Sequence, residues 1–161
     1  MRCKGTLIDL ATPKVMGILN ITPDSFYDGG KYKDEQAILL QVDKMLKEGA
    51  TFIDVGAYSS KPGAEDVSDE EELRRIVPVI KLLVANFSNL LISVDTFRSQ
   101  VAEKCIEAGA AIINDISGGD LDPNMFATVA SLQVPYIMMH MQGTPQTMQQ
   151  TPTYKNVVTE V

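Results

Sequence analysis

The chain predicts an α/β protein built on a parallel sheet, and three observations carry that reading. Five short apolar runs each end in a polar side chain and a loop. Segments with helical periodicity lie between them, and one strand pattern recurs at an offset of 60 residues. Short continuous apolar runs flanked by helices are the mark of strands buried on both faces. In such proteins the ligand sits at the carboxyl ends of the strands. The polar tips Asn20, Asp54, Asp95, Asn114 and His140 are therefore predicted to face one rim, and that rim to be the active site.

The elements follow in order. Val15-Met16-Gly17-Ile18-Leu19 makes the first strand and runs into Asn20. Asp34 is placed to cap a helix with Ile38, Val42, Met45 and Leu46 on one face, stopped by Gly49. Phe52-Ile53 then leads to Asp54. Ser68-x-x-Glu71 reads as a capping box that opens a helix carrying Leu73, Ile76, Val77 and Ile80. The run Asp69 to Glu72 falls where the helix dipole favours negative charge and is read as a solvated first turn rather than a metal site. Leu90 to Val94 stops at Asp95, a helix fits Ser99 to Ala108 with Gly109 after it, and Ala111-Ile112-Ile113 ends at Asn114. A further helix fits Asp122 to Ser131, with Pro123 allowed at its first position. Tyr136 to Met139 ends at His140. The alternation is the grammar of a parallel sheet.

The internal echo pairs Gly49-Ala50-Thr51-Phe52-Ile53-Asp54 with Gly109-Ala110-Ala111-Ile112-Ile113-Asn114. It spans two βα units, so the second and fourth strands do the same job, as alternate strands do in the layers of a (β/α)₈ barrel. Length pulls the other way, because a complete barrel of this kind takes about 250 residues. A five-stranded open sheet of flavodoxin type fits the length, but that fold needs a helix after its fifth strand. After His140 the sequence instead gives a polar loop from Gln142 to Thr153 and then Tyr154 to Val161, so the chain reads as a fragment.

Bulk properties narrow the classes. With 161 residues, 45% hydrophobic and 22% charged, the composition suits one globular domain. Cys3 and Cys105 are far apart and form no C-x-x-C pair, which suits a reducing cytoplasm and inert thiols. No apolar stretch approaches the roughly 20 residues that span a bilayer, and Met1-Arg2-Cys3-Lys4 opens no signal peptide. A net charge of −7 argues against general nucleic-acid binding, and any anionic substrate must be met by local donors or a metal.

The richest loops follow the first two strands, from Asn20 to Gly30 and from Gly56 to Ala64. Their hydroxyls, glycines and prolines exceed what plain turns need. Gly29-Gly30 reads as a hinge, with Asp24 and Lys61 able to close over a ligand as a charged pair.

These loops carry a family resemblance. Met16-Gly17-Ile18-Leu19-Asn20-Ile21-Thr22-Pro23-Asp24-Ser25-Phe26 resembles the first signature of dihydropteroate synthase. Asp54-Val55-Gly56-Ala57-Tyr58-Ser59-Ser60-Lys61-Pro62-Gly63-Ala64 is similar to the second. Ser93-Val94-Asp95-Thr96, Ile113-Asn114-Asp115-Ile116 and Met139-His140-Met141-Gln142-Gly143 follow in the family's order. The resemblance covers essentially the whole chain but about the first three-fifths of the family's domain. It implies a (β/α)₈ TIM barrel of which residues 1–161 supply about the first five βα units of the pterin-binding domain, truncated after the fifth strand.

The resemblance also implies chemistry. The family's enzymes condense 6-hydroxymethyl-7,8-dihydropterin pyrophosphate with p-aminobenzoate, release pyrophosphate and make the folate precursor dihydropteroate. Sulfonamides compete with p-aminobenzoate. By this resemblance Asn20 binds the Mg²⁺ that holds the leaving pyrophosphate, and Ser60 stands near the pyrophosphate where the family usually has threonine. Asp95 and Asn114 hydrogen-bond the pterin, whose pocket Ile116 and Met139 line. Phe26, Ser59 and Pro62 shape the p-aminobenzoate site. Asp95, Asp24 and Lys61 are the residues placed closest to catalysis, along an SN1-like path in which Asp95 favours the developing cation. The full-length protein is expected to be a cytoplasmic homodimer with small-molecule substrates and no nucleic-acid or membrane partner.

Two departures stand out. The family's second loop usually reads G-G-E-S-T-R-P-G, where this chain has Gly56-Ala57-Tyr58-Ser59-Ser60-Lys61-Pro62-Gly63. Ser60 keeps the hydroxyl, whereas Lys61 loses the bidentate fork of arginine. The family's later strands also supply an Asp, a Lys and an Arg/His pair that this chain lacks, so the isolated chain is expected to catalyse little. His140 is read as a structural strand-end residue. The competing readings are a pterin-binding domain of a corrinoid-linked methyltransferase and a short, non-catalytic pterin-binding module. The two loops favour the synthase over the methyltransferase, and the intact site residues count against the non-catalytic module.

Overall fold

A computed structural model describes residues 1–21, 31–58, 67–150 and 152–161, with the side chains of residues 31–33 left aside. The chain opens with β1 (Arg2–Cys3) and β2 (Thr6–Leu7), paired antiparallel. Then come β3 (Val15–Asn20), α1 (Lys31–Lys47), β4 (Ala50–Gly56), α2 (Asp69–Asn86), β5 (Leu91–Asp95) and α3 (Ser99–Glu107). β6 (Ile112–Asp115), α4 (Met125–Leu132), β7 (Tyr136–Met138) and α5 (Val157–Glu160) complete the described elements.

The five long-range strands lie parallel in the order β3-β4-β5-β6-β7, which is their order in the sequence. That order decides between the two folds that length left open. A doubly wound sheet reverses direction at a switch point and places helices on both faces. Here every crossover moves the same way, so the helices collect on one side, as in a barrel wall.

The two faces of each strand confirm it. Leu19, Ile53, Val55, Ile92, Val94 and Ile113 pack outward against helix residues such as Ile38, Ile76, Ile80 and Val101. The alternate residues Phe52 and Ile112 turn to the opposite face, where Cys3 and Ala111 join them. This inner cluster is closed by the β1–β2 hairpin: Met1 and Ile8 pack there, and the Cys3 thiol lies 3.7 Å from the Ala111 carbonyl. The hairpin was not legible in the sequence, because two-residue strands are too short to show alternation. Its turn has positive φ at both Lys4 (46°) and Gly5 (77°), the pattern of a type I′ hairpin.

Most helix limits follow the expected signals. Ser68 caps α2, accepting from the Glu71 N–H at 3.2 Å, and Gly49 and Gly109 follow α1 and α3 with φ of +109° and +110°. Two limits differ. α1 already includes Lys31, so Asp34 lies inside its first turn and is not its cap. α4 starts at Met125, three residues after Asp122, because Asp122 is used elsewhere. Its Oδ2 accepts from the Ser99 N–H at 2.7 Å and its Oδ1 from the Asn124 N–H at 2.9 Å. Arg98 precedes α3 without a side-chain cap of its own, so Asp122 caps that helix from the next loop.

Both cysteines are buried and reduced. Burial pushes the Cys105 thiol up to about 12 and raises Cys3 as well, so neither is a nucleophile, in line with the sequence reading. Among the described residues no helix is long and apolar enough to cross a membrane.

Candidate active site

The ladder register builds the site. One row across the sheet runs Asn20, Gly56, Asp95, Asn114 and Ile137. The row beneath it runs Ile18, Asp54, Ser93 and Ile112. Asn20, Asp95 and Asn114 therefore share the carboxyl-end rim as predicted, but Asp54 does not. β4 continues two residues past Asp54, because Val55 still has an outer apolar face to pack against and Gly56 still fits the ladder. The rim position of that strand belongs to Gly56.

Gly56 has a steric reason to be glycine. A Cβ there would lie 3.3 Å from Asp95 Oδ2, 3.4 Å from Asp95 Cβ and 3.5 Å from Asn20 Oδ1. The missing side chain opens a slot between the two polar groups, through which both reach the same space.

Asp54 is recessed and buried, and Asn114 Nδ2 donates to its Oδ2 at 3.0 Å. These are the two residues of the 60-residue echo. A layer of a tilted barrel steps about one residue per strand, so residues two strands apart and offset by two in the ladder lie at one level. The echo thus marks a real layer of the interior. The other oxygen of Asp54, Oδ1, and the Oγ of Ser93 are buried without a hydrogen-bond partner in the protein. Buried polar atoms are rarely left so, and unpaired ones at the carboxyl end of a barrel face invite a polar ligand.

The electrostatics agree. Burial pushes the Asp95 carboxyl up to about 7, helped by the negative charges of Asp54, Glu72 and Asp115. Burial also raises Asp54, opposed by the Ser93 hydroxyl, which lies near it without hydrogen-bond geometry, and by the Asn114 amide that donates to it. Two carboxyls whose charged forms are made costly by burial are suited to a planar heterocycle rich in N–H donors, which pairs with those charged forms.

Beside this recess the loop after β6 is tied by Asp115, which is fully buried. Its Oδ1 accepts from the Ser117 N–H and hydroxyl, both at 2.8 Å, and its Oδ2 accepts from the Gly119 N–H at 3.0 Å and the Tyr136 hydroxyl at 2.7 Å. Ile116 is held half-buried within that turn, and Met139 donates its N–H to the Asp115 carbonyl at 3.0 Å. The backbone of both apolar pocket candidates is therefore fixed by one residue.

His140 does not join the rim. β7 ends at Met138, and the imidazole is exposed, with Nε2 2.9 Å from the Tyr154 hydroxyl. Its neighbour Gln142 holds Thr153 through two hydrogen bonds of 2.9 and 3.0 Å, so this histidine serves the packing of its own loop. Asp24, Phe26, Ser59, Ser60, Lys61 and Pro62 lie outside the described residues.

Two features escaped the sequence reading. Ser93 and Gly56 sit two residues from Asp95 and Asp54, and the period of two along a strand was the available signal. Glu72 is fully buried and pairs with Arg98, so the acidic run is not wholly a solvated first turn. Among the described residues no cluster of three His, Cys, Asp or Glu side chains forms a metal site.

A singly wound parallel β/α wall whose carboxyl-end face gathers Asn20, Asp95 and Asn114 above the buried Asp54 is the wall of a β/α barrel. The chain belongs to the pterin binding enzyme family, whose profile matches residues 16–161. It is 47% identical over 154 residues to the dihydropteroate synthase of Haemophilus influenzae, covering 96% of this chain and 55% of that protein. The dihydropteroate synthase of Yersinia pestis, solved with a sulfonamide drug, matches with a TM-score of 0.87 and 42% identity over 99% of this chain and 57% of that one. That of Xanthomonas albilineans, solved with 4-aminobenzoic acid, matches with a TM-score of 0.82 and 42% identity over 98% and 55%. The chain thus spans about half the length of these relatives.

Proposed function

We propose that the polypeptide carrying this chain condenses 6-hydroxymethyl-7,8-dihydropterin pyrophosphate with p-aminobenzoate to give dihydropteroate. The observation that carries this reading is the recess in which Asp95 and Asn114 flank the unpaired Asp54 Oδ1 and Ser93 Oγ. A reduced pterin presents ring N–H and amino donors and a carbonyl acceptor on one edge. Carboxylates at Asp54 and Asp95 accept from the donors, and the Asn114 amide and Ser93 hydroxyl serve either role. Ile116 and Met139 supply the apolar walls.

The second half of the reaction needs charge at the mouth. Asn20 is exposed on the rim and offers a neutral, hard oxygen beside the Gly56 slot, which fits Mg²⁺ shared with a pyrophosphate. The bound ion would neutralise charge on the leaving pyrophosphate. Asp95, recessed near the ring, favours the positive charge that develops as the bond to pyrophosphate breaks, which supports an SN1-like path. The aniline nitrogen of p-aminobenzoate is nucleophilic when neutral and needs no strong base. In this reading Ser60 meets the pyrophosphate, Phe26, Ser59 and Pro62 contact p-aminobenzoate, and Asp24 and Lys61 close the charged pair between the loops. It also takes the whole polypeptide to be a cytoplasmic homodimer whose p-aminobenzoate site admits sulfonamides.

The test is formation of dihydropteroate by the full-length protein and by its Asp95→Ala variant. Loss of turnover with an unchanged circular-dichroism spectrum is expected. Undiminished turnover would overturn the assignment of the pterin site.

A further inference from the structure

Asp115 is buried on the side of the sheet that faces away from the proposed substrate. Successive residues of a strand point to opposite faces. Asn114 turns into the barrel, where it meets Asp54, and Asp115 turns out towards the helices. Tyr136 on β7 faces the same outer side, packed against the cluster that holds Ile113, while Ile137 turns inward. In the β6–β7 ladder Tyr136 stands diagonally to Asp115, two places before its partner Met138, and the phenol donates to Asp115 Oδ2 at 2.7 Å.

That bond differs in kind from the other three. The Ser117 N–H, the Ser117 hydroxyl and the Gly119 N–H all come from the turn that Asp115 itself opens. They fold the turn, whereas Tyr136 ties the folded turn to the neighbouring strand. The fit is close. Met139 donates its N–H to the Asp115 carbonyl at 3.0 Å, and a Cβ on Gly118 would lie 2.5 Å from the Met139 carbonyl oxygen. Phe126 of α4 backs the tie, edge to face with the Tyr136 ring at 5.8 Å between centroids. A neutral serine or asparagine suffices to hold a turn, whereas a buried carboxylate is costly unless its oxygens are engaged. Here the carboxylate joins Asn114, Ile116 and Met139 into one connected piece.

We propose that Asp115, acting through Tyr136, is the positioning residue for the pterin ring: it clamps the turn after β6 onto β7 and so fixes the gap between Ile116 and Met139 that admits a flat heterocycle. The inference rests on the proposed function, which makes Ile116 and Met139 the apolar walls of the pterin pocket. Neither Asp115 nor Tyr136 touches substrate in this scheme.

The test uses the full-length protein and three variants. Tyr136→Phe removes the tie alone, keeping the ring against Phe126 and three donors on Asp115. Asp115→Asn replaces one carboxylate oxygen by an amide nitrogen, which cannot accept. Asp122→Ala removes the cap of α3 in the same loop without touching the clamp, so it reports what lost stability alone does. In Tyr136→Phe the KM for the dihydropterin pyrophosphate is expected to rise about fivefold or more, with the KM for p-aminobenzoate within about twofold. Asp115→Asn raises the first further, and Asp122→Ala leaves both within about twofold. The amides of Ser117, Gly119 and Met139 should exchange with solvent faster in Tyr136→Phe, with those of β5 unchanged. An unaltered KM for the dihydropterin pyrophosphate in Tyr136→Phe would overturn the proposal. So would an equal rise in both KM values, an equal rise in Asp122→Ala, or unaltered exchange of those three amides. If Asp115→Asn does not fold, Tyr136→Phe decides alone. If the unsubstituted protein forms no dihydropteroate, the proposed function fails by itself. The dissociation constant of the dihydropterin pyrophosphate, read by calorimetric titration, then replaces its KM, and no binding to the unsubstituted protein overturns the inference as well.

Discussion

Burial makes the carboxylate that Asp95 uses in its proposed task costly to form. Its carboxyl stands raised to about 7 by burial and by neighbouring negative charge, whereas the unfolded chain releases that proton near the ordinary aspartate value. Between those two values the folded state binds more protons than the unfolded one, so stability falls as pH rises from about 4 to about 7. The cost is fully present above that window and absent below it, and amounts to a few kcal/mol at most. Asp95→Asn has no charge to bury. The variant is therefore expected to gain stability over the unsubstituted protein between pH 5 and pH 8 in urea denaturation, and parallel pH profiles would refute this. Gly56 makes a sharper separation between fold and site. A methyl group there meets only side-chain atoms of Asp95 and Asn20, at 3.3 to 3.5 Å, on a backbone that any residue adopts. Gly56→Ala should change stability by no more than about 1 kcal/mol while weakening dihydropterin binding about tenfold, as measured by calorimetric titration.

At the scale of elements, the loop after β6 shows how one buried acid organises a turn and a helix start. Asp115 satisfies four donors, and the chain then passes Gly118 and Gly119 at φ of +63° and +95° before Asp122 caps α3. A Cβ on Gly118 would lie 2.5 Å from the Met139 carbonyl oxygen, which is backbone and cannot swing aside. Gly118→Ala should cost about 2–3 kcal/mol or more, since positive φ and a backbone clash act together. Asp122→Ala should cost about 1 kcal/mol through the lost cap of α3, leaving the turn intact. Urea denaturation separates the two, and an equal loss in both variants would contradict the separate roles. This pair also shows the limit of reading elements from sequence. Asp122-Pro123 has the look of a helix start, and the residues that follow are helical, but the carboxylate was spent on a helix 23 residues earlier in the chain. Local patterns name the capping residue; only tertiary structure says which helix it caps. The central strands were legible because Ile53 and Val55 on β4 and Ile92 and Val94 on β5 form apolar outer faces, and Gly49 and Gly109 ended their helices as expected. The N-terminal hairpin and the true tip of β4 were not, since neither leaves a periodic trace.

At the scale of the molecule, the barrel was legible in one faint sign, the echo between Asp54 and Asn114, which the structure turns into a hydrogen bond of 3.0 Å. The buried Arg98–Glu72 pair left no such sign, because its two residues lie 26 positions apart in the sequence. The same geometry has a physical consequence for these 161 residues on their own. β3 and β7 form the two borders of the sheet, and Val15 and Ile18 on β3 and Met138 on β7 are each more than 60% exposed. A strand border that offers apolar side chains together with backbone donors and acceptors is a template for another chain. The net charge of −7 opposes association only weakly at physiological salt, where charges are screened beyond about 8 Å. The chain alone is therefore expected to sediment at micromolar concentration as species heavier than its 17.6 kDa. Ile18→Lys places a charge on the inner face at that border and should return it to a monomer, since a buried lysine in a strand pair costs more than the pairing contributes. Sedimentation of the unsubstituted chain as a monomer would mean that the borders are not adhesive. Association that survives Ile18→Lys would move the contact away from β3, to β7 or to the helical face.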